Sequence, residues 1–533
     1  MGDVPDTYNF ADVWEAVVPR VAERTALVCG DRRLTYAELD DRATALARWM
    51  RARGVGPGDH VGLYLINTPA YVEAFLACFK LRAVPINVNF RYVAGELAAL
   101  LDDAAVVGVL HNGEFADRVA AIRDDLPAVT WWLDVDDEDS YEGALAAGVG
   151  DEPFGPRSDD DHYVIYTGGT TGRPKGVVWR HEDAFFACLG GGDPSRLHGP
   201  VTCPADVVDR INEHPLVFFP SAPLMHAAGQ WTTLSWLYAG GTIVLVPGSF
   251  DGATIWRTIE REGVNVITVT GDATVRPLVD AWDEHGPFDV SSLFSVGSGG
   301  APLTPALKAR LRAVVPNCVI ADGFGSSETG AQGSNRLGPG DDHQSAIVFT
   351  SMGGDTAVLD PDTRRPVVPG DGVVGRVARR GHIPLGYHRD PEGTAQRFVT
   401  IDGERWVITG DHATVGEDGS IVLLGRGSSC INTGGEKVHP EEVEAALKAS
   451  ADVYDCIVVG VPDDRWGQAV AAVVQPSPGV EVDAERLRVH CRELLAGYKV
   501  PKSFTFVDRV ERSPAGKPDL RWAASLATAT AAS

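Results

Sequence analysis

The sequence predicts an α/β fold with a large N-terminal domain, in which helices flank sheets, and a small α+β C-terminal domain. In the first half of the chain, short apolar runs alternate with segments of helical spacing, which is typical of βαβ units and a parallel sheet. Near residue 426 the chain becomes small, polar and rich in glycine, as a linker would be. We therefore expect domains at 1–426 and 427–533.

Each element of the N-terminal domain is predicted from a local pattern. Helical spacing is present at 71–80 and 97–101. Apolar runs predict strands at 61–66, 84–87, 106–111, 164–166, 242–246, 266–270, 293–296 and 319–322.

The C-terminal part has a different, more compact pattern. Pro440 and the glutamates after it are typical of a helix start, because proline fits the first helical position and acidic side chains favour the positive end of the helix dipole. Strands are predicted at 456–461 and 469–475, and a helix at 484–495. The small residues at 523–533 are expected to fray.

Composition limits the class of protein. The 533 residues include 44% hydrophobic residues, enough for a large core, and carry a net charge of −26. Such a charge argues against a general nucleic-acid binder, which would present a basic face. The eight cysteines are scattered without metal-ligand spacing. No apolar run approaches the length of a membrane span and no hydrophobic leader is present, so we expect a cytoplasmic protein without a transmembrane segment.

A glycine-rich loop follows the strand predicted at 164–166. Residues 166–176 read YTGGTTGRPKG, in which glycines let backbone N–H groups approach a phosphate, threonine hydroxyls add donors and Lys175 adds charge. The chain has only eight lysines, so a lysine inside this loop indicates a function. The Walker A pattern does not match, because Pro174 precedes the lysine and Gly176 follows it. We interpret the segment as a phosphate-binding loop.

Two further turns present single carboxylates. Residues 322–330 read DGFGSSETG and place Glu328 where it could bind a Mg²⁺ that keeps waters and phosphate oxygens, although a capping role fits the turn equally well. Asp411, in the turn TGD, could accept hydrogen bonds from ribose hydroxyls, but such turns are common. Lys517 lies in the loop SPAGKPDLR, where an exposed loop lysine is the simplest interpretation of that residue alone.

Together with the segment GRGSSCINTGGEKVHPEEVE at 425–444, these motifs occur in the order found in one family. The chain resembles the adenylate-forming, AMP-binding superfamily of acyl-CoA synthetases, adenylation domains and firefly-type luciferases. The resemblance runs from about residue 36 to residue 517, and the phosphate loop and the 425–444 segment are its most specific parts. It implies ATP, Mg²⁺ and coenzyme A as ligands, and a C-terminal domain that is mobile.

The resemblance also implies roles for individual residues. The catalytic candidates are Lys517, which would hold the reacting carboxylate and the α-phosphate together, Glu328 as the Mg²⁺ ligand, Thr167 and His226. The implied ATP and AMP contacts are Thr167, Gly168, Gly169, Thr170, Thr171, Gly172, Lys175, Gly299, Gly300, Ala301, Asp322, Gly323, Phe324, Gly325, Ser326, Ser327, Asp411, Arg426 and Lys517. The implied coenzyme A contacts are Gly434, Gly435, Glu436 and Lys437, and the implied acyl pocket includes His226, Gly229 and Trp231.

The sequence departs from the family pattern at a few positions without losing an indispensable charge. Gly168 stands where serine is commoner, Phe324 where tyrosine is more frequent, and Ser327 where threonine is usual. The hinge position is usually Asp or Lys, and here it is Ser428.

The implied reaction has two steps. A carboxylate attacks the α-phosphorus of ATP to give an acyl adenylate and pyrophosphate, and the thiol of coenzyme A then displaces AMP to give a thioester. Between 221 and 231 there is no aspartate to pair with an α-ammonium group, which disfavours an amino-acid substrate. Glycines at 190–192 beside Phe185, Phe186 and Phe218 favour a large apolar pocket, most similar to those of bacterial fatty-acyl and steroid-side-chain CoA ligases.

Several alternatives remain open. His226 fits a packing role as well as a catalytic one, and the aromatic residues near it could simply belong to the core. The acceptor could differ from coenzyme A, or the substrate could be an aryl acid. A nucleotide-binding protein without activity is disfavoured, because Lys175, Glu328, Asp411 and Lys517 are all present. We expect small-molecule partners and no nucleic acid, and a homodimer stays open.

Overall fold

The structure is a computed structural model that describes residues 5–167, 174–248, 250–341, 348–426, 430–433, 436–463, 467–512 and 516–531. Its strands are β1 (Thr25–Cys29), β2 (Arg32–Thr35), β3 (His60–Tyr64), β4 (Val84–Asn87), β5 (Val106–His111), β6 (Trp131–Asp134), β7 (His162–Thr167), β8 (Lys175–Arg180), β9 (Val217–Pro220), β10 (Thr242–Leu245), β11 (Val266–Val269), β12 (Ser295–Gly299), β13 (Val319–Ser326), β14 (Gly330–Leu337), β15 (Val348–Ser351), β16 (Thr356–Leu359), β17 (Gly375–Arg379), β18 (Gly386–Tyr387), β19 (Phe398–Ile401), β20 (Glu404–Val415), β21 (Ile421–Arg426), β22 (Ile431–Thr433), β23 (Glu436–Val438), β24 (Val453–Asp463), β25 (Gly467–Pro476) and β26 (Ser503–Phe506).

The helices lie before, between and after these strands. They are α1 (Phe10–Val21), α2 (Tyr36–Arg51), α3 (Pro69–Lys80), α4 (Ala94–Asp103), α5 (Ala116–Ala120), α6 (Glu138–Ala147), α7 (His181–Ala187), α8 (Ala227–Tyr238), α9 (Gly252–Glu262), α10 (Gly271–His285), α11 (Pro305–Val314), α12 (Pro391–Arg397), α13 (Pro440–Lys448), α14 (Ala484–Leu494) and α15 (Leu520–Ala531). Of the helices in the described ranges, none has both the length and the apolar character that a membrane span requires.

Within the described residues the strands form three sheets. The largest has 14 strands in the order β16-β17-β20-β21-β15-β14-β13-β12-β11-β9-β10-β1-β2, with β19 paired to β20. The second has seven strands in the order β18-β8-β7-β4-β3-β5-β6. The third has five, β23-β22-β25-β24 with β26 paired to β25, and belongs to the C-terminal part. Strands β3 to β6 and β9 to β13 pair mainly in parallel, so the predicted α/β fold with a small α+β C-terminal part is confirmed.

Local sequence explains where many helices begin. Pro69, Pro305 and Pro440 occupy the first turns of α3, α11 and α13, where a missing N–H costs nothing. At α2, Thr35 and Glu38 form a reciprocal capping box that satisfies two free backbone donors. These signals lie within a few residues of each helix start, so they could be read from the sequence.

Two predicted elements differ in the structure. The strand expected at 293–296 is β12, and it begins at Ser295. Leu293 precedes the strand in a turn, in which its N–H donates a hydrogen bond to the carbonyl of Val290 and its side chain is buried. The expected fraying at 523–533 is wrong for the described residues of α15. Ala523 and Ala527 are fully buried in the C-terminal core, since small alanine side chains let the helix lie close to the sheet.

The predicted domain boundary lies between two of the sheets. Strand β21 ends at Arg426 in the 14-stranded sheet, and β22 begins at Ile431 in the five-stranded sheet. Residues 427–429, including the predicted hinge Ser428, lie outside the described residues. The boundary at 426 and the hinge therefore stay predictions.

Candidate active site

The predicted adenine segment lies where two parallel strands end. Gly299 of β12 is opposite Gly323 of β13, and Gly300 turns the chain away with a φ of +80°. The side chain of Asp322 forms a buried ion pair with Lys308 of α11. Burial raises the pKa of Asp322, while Lys308 opposes that rise. The Asp322 carboxylate thus links α11 to β13. Ala301 follows Gly300 in the loop after β12.

Phe324 packs through a close contact that only glycine permits. Gly333 is its register partner on β14, where a Cβ would lie 2.3 Å from the Phe324 ring. On its other side Phe324 contacts the ring of Phe349, at 4.9 Å between centroids. The half-buried ring therefore has a defined position at the edge of the site.

The turn that carries Glu328 is held by hydrogen bonds from three directions. The N–H of Ser326 donates to Thr329 Oγ1 at 3.0 Å. Trp179 Nε1 donates to the carbonyl of Ser327 at 2.9 Å, and Arg379 Nη1 donates to the carbonyl of Thr329 at 2.7 Å. The turn is therefore rigid, and Gly325, which precedes it, has no room for a Cβ beside the carbonyl of residue 330.

Tyr387 joins the two charged groups that the sequence placed in separate motifs. Its hydroxyl donates a hydrogen bond to Glu328 Oε1 at 3.0 Å. Lys175 Nζ lies 4.9 Å from the centre of the Tyr387 ring, within cation–π distance, and 2.6 Å from Asp390 Oδ2. Burial, and then the charge of Glu328, raise the pKa of Tyr387, so its hydroxyl stays protonated as a donor. Sequence reasoning missed Tyr387 and Asp390, since no local pattern marks them.

The phosphate loop connects the ends of an antiparallel strand pair. Thr167, the last residue of β7, is opposite Lys175, the first residue of β8. The predicted contacts Gly168, Gly169, Thr170, Thr171 and Gly172 lie outside the described residues. The described strand ends therefore place Thr167 and Lys175 together at the mouth of the loop.

The two residues predicted to bind ribose are cross-strand neighbours. Asp411 on β20 is the register partner of Arg426 on β21. The N–H of Asp411 donates to Thr409 Oγ1 at 3.1 Å, and the Thr409 hydroxyl donates to a carbonyl of β17. The sheet thus brings Asp411 and Arg426, which belong to different sequence motifs, opposite one another.

His226 directly precedes the first residue of α8, and its side chain is half-buried. In the described part of the chain, its Nε2 has no hydrogen-bond partner. Burial, followed by the charges of Lys517 and Arg91, lowers the pKa of His226 to about 4. The imidazole is therefore neutral at pH 7, and the charge of Lys517 acts on it from the C-terminal part.

The other predicted pocket residues divide into two groups. Trp231 is half-buried, whereas Gly229 is buried against the backbone of residues 222 and 223, with no room for a Cβ. Phe185 and Phe218 are fully buried in the main core, which is the core role that the sequence left open for these aromatic residues.

The loop before Lys517 reaches α10 of the N-terminal part. Gly516 has a φ of +70°, and a Cβ on it would lie 2.7 Å from the Cβ of Ala273. Nearby, Tyr454 donates a hydrogen bond to Asp280 Oδ2 at 3.1 Å. The C-terminal part is therefore docked against α10 at the residue that precedes Lys517.

The predicted coenzyme A segment is only partly described. Gly434 and Gly435 lie outside the described residues, as does the side chain of Lys437. Glu436 is exposed and is the register partner of Thr433 on β22. This segment therefore stays a prediction.

Comparisons with known proteins identify the family to which this chain belongs. The AMP-binding enzyme family model matches residues 14–388, and the AMP-binding enzyme C-terminal domain matches residues 442–517. A medium/long-chain-fatty-acid–CoA/3-oxocholest-4-en-26-oate–CoA ligase from Mycobacterium tuberculosis is 45% identical over 526 residues, covering 97% of this chain and 95% of its own. A 3-oxocholest-4-en-26-oate–CoA ligase from Rhodococcus rhodochrous is 43% identical, with coverage of 97% and 95%. The structure of ATP-bound MatB from Rhodopseudomonas palustris has a TM-score of 0.82 at 26% identity, covering 97% of this chain and 99% of its own. This chain belongs to the AMP-binding enzyme family.

Proposed function

We propose that this chain is an AMP-forming acyl-CoA ligase that activates an apolar carboxylic acid, either a fatty acid or a steroid side-chain acid. The observation that carries the proposal is the convergence of Lys175 and Glu328 on Tyr387, together with the charge of Lys517, which helps to lower the pKa of His226. The relatives named above act on such acids, which supports this substrate class.

In the first step, a carboxylate oxygen of the acid attacks the α-phosphorus of ATP, and the bond to the β-phosphate oxygen breaks. Two anions must meet, so Lys517 would hold the carboxylate and the α-phosphate together. Lys175 would bind the departing pyrophosphate through its ammonium group. A neutral His226 beside the carboxylate would orient it without adding charge.

The carboxylate of Glu328 fits a magnesium site. It lies in a rigid turn and accepts a hydrogen bond from Tyr387, which leaves oxygen lone pairs for a cation. One carboxylate together with substrate phosphates is the usual donor set for Mg²⁺. The ion would neutralise charge that develops on pyrophosphate.

In the second step, the thiolate of coenzyme A attacks the acyl carbon, and AMP leaves with the bonding electron pair. Lys517 is not needed at this point, since only one anion leaves and none approaches the α-phosphate. By resemblance, the C-terminal part rotates between the two steps, and the segment around Glu436 would then contact the pantetheine arm. A cytoplasmic location and a homodimer remain predictions.

The reaction is tested by isotope exchange and by product analysis. With Mg²⁺, ATP and octanoate or a steroid side-chain acid, the protein should exchange labelled pyrophosphate into ATP without coenzyme A. Adding coenzyme A should give a thioester and AMP. Formation of ADP would contradict the mechanism, exchange without thioester would indicate another acceptor, and the absence of exchange with every acid would indicate a protein without activity.

A further inference from the structure

A row of buried charges connects α10 of the N-terminal part to the C-terminal part. Lys448 Nζ, at the end of α13, lies 3.4 Å from Asp272 Oδ2 and 3.1 Å from Asp455 Oδ1. Arg512 binds the same Asp455 carboxylate in two places, at 2.6 Å through Nε and 2.8 Å through Nη2. The four side chains are between 7% and 16% exposed. We call Asp272, Lys448, Asp455 and Arg512 the charge row.

The C-terminal end of the charge row holds the loop next to Lys517. Arg512 Nη1 donates a hydrogen bond to the carbonyl of Gly516 at 3.1 Å, and its Nη2 also donates to the carbonyl of Cys456 at 3.0 Å. Gly516 immediately precedes Lys517 in the chain and packs against Ala273 of α10. The guanidinium fork therefore fixes the backbone from which Lys517 extends.

The N-terminal end of the charge row is attached to the predicted adenine segment. Asp272 Oδ1 accepts a hydrogen bond from the N–H of Thr304 at 2.8 Å. The N–H of Asp272 itself donates to the carbonyl of Pro302 at 3.0 Å. A single carboxylate therefore contacts the loop after β12 on one side and the C-terminal part on the other.

The charges in the row stabilise one another. Burial acts to lower the pKa of Lys448, but Asp455 and Asp272 outweigh it and raise that pKa. Burial acts to raise the pKa of Asp455, but Lys448 and Arg512 hold it well below its usual range. Lys448 and Asp455 are thus both ionised at neutral pH. The nearby buried carboxyl of Glu444 accepts a hydrogen bond from the N–H of Val458 at 2.9 Å.

We propose that the charge row is a positioning device for the adenylation step, which fixes the Lys517 loop against the adenine segment when the C-terminal part is docked on α10. The inference rests on the proposed function. The four residues of the charge row are positioning residues, since each acts through Lys517 or through the loop after β12. In the second step, the thioester-forming reaction, Lys517 is not needed, so the charge row should matter for the first step alone.

The test uses two variants and measures the two half-reactions separately. Arg512→Lys keeps the charge beside Asp455 but loses the fork that binds Gly516. Asp272→Asn keeps the shape and the bond from Thr304 but loses the charge that faces Lys448. A displacement of about 1 Å can cost about 100-fold in rate, so we expect pyrophosphate exchange to fall by about 10- to 100-fold in each variant. Thioester formation from preformed acyl adenylate should stay within about twofold of the wild-type rate.

Arg486→Lys is the matched control, because Arg486 also pairs with an aspartate of the C-terminal part, at 2.9 Å from Asp452 Oδ2. It should leave both half-reactions unchanged. An equal loss of both half-reactions in Arg512→Lys and Asp272→Asn, or no loss in either variant, would overturn the proposal. If the wild-type protein itself shows no pyrophosphate exchange, the proposed function fails. That result differs from both variant outcomes, which concern the charge row alone. The ratio of the two rates in one preparation does not depend on the fraction of folded protein, so a variant of low stability still gives a decisive result.

Discussion

The hydroxyl of Tyr387 donates a hydrogen bond to Glu328, with 3.0 Å between the oxygens. The ring of the same tyrosine lies 4.9 Å from Lys175 Nζ, so one side chain contacts both charged groups of the site. Tyr387 belongs to the two-residue strand β18, which pairs with β8 directly after the phosphate loop. The short strand thus positions the side chain that contacts both groups.

Tyr387→Phe should slow adenylation while the fold is kept. The change removes the hydrogen bond that orients Glu328 but retains the ring beside Lys175, so we expect pyrophosphate exchange to fall by about tenfold. More Mg²⁺ should also be needed for half-maximal exchange. Tyr387→Leu removes the ring as well and should be slower still. An unchanged Mg²⁺ requirement in Tyr387→Phe would contradict the assignment of Glu328 as the Mg²⁺ ligand.

Lys517→Ala should separate the two half-reactions. The ammonium group is needed only when the carboxylate approaches the α-phosphate, and loss of one such contact costs about 10²–10³ in rate. Pyrophosphate exchange should fall by this amount, while thioester formation from a preformed acyl adenylate stays near the wild-type rate. The same loss in both half-reactions would contradict the role that we assign to Lys517.

Gly516→Ala should also impair adenylation selectively. A Cβ at this position would lie 2.7 Å from Ala273, so the Lys517 loop could not pack against α10. Gly479→Ala is the matched control, because Gly479 has a similar φ of +74° in the C-terminal part but no atom within 4 Å of an added Cβ. Gly479→Ala introduces the same backbone strain without a clash against another residue. Equal effects of the two substitutions would show that strain, not the contact with Ala273, is responsible.

The acid substrate should be large and apolar. Burial of apolar carbon contributes about 0.8 kcal/mol per CH₂ group, so a large pocket should favour octanoate or a steroid side-chain acid over acetate by several powers of ten in kcat/KM. The measurement compares acetate, octanoate, palmitate, benzoate and a steroid carboxylate in the same assay. A preference for acetate or benzoate would overturn the assignment of the substrate class.

His181 should make the protein less stable in acid. The residue is fully buried against Phe10, its Nδ1 accepts a hydrogen bond from the Phe10 N–H at 3.1 Å, and burial lowers its pKa from 6.5 to about 4. As the pH falls from 6.5 to 4, the unfolded chain takes up a proton that the folded chain does not, so the free energy of unfolding decreases. At pH 5 this amounts to about 2 kcal/mol.

Urea unfolding at pH 7 and pH 5 measures this effect. His181→Gln keeps an acceptor for the Phe10 N–H but does not titrate, so the difference in stability between the two pH values should shrink. His285→Gln is the control, because His285 is exposed, and its substitution should leave the difference unchanged. An unchanged difference in His181→Gln would contradict the assigned role of His181.

Much of the fold could be predicted because its signals are local. Strands β4 and β5 begin and end at the predicted residues, since buried parallel strands are continuous apolar runs between turn residues. The superfamily was also predicted correctly, because glycine-rich turns and a rare lysine are visible without any structure. Helix α15 could not be foreseen in this way, since its alanines acquire a role only when a sheet lies beneath them.

The sequence by itself therefore determined the order of the elements, the family and the set of charged residues available to the site. Only the tertiary structure decided which of those residues meet, because contacts between distant segments leave no periodic pattern in the chain. Tyr387 meets Glu328 from 59 positions away, and Lys448 meets Asp272 from 176 positions away. The scarcity of lysine could have drawn attention to Lys448 as it did to Lys175, but its partners became known only from the docking of α13 near α10.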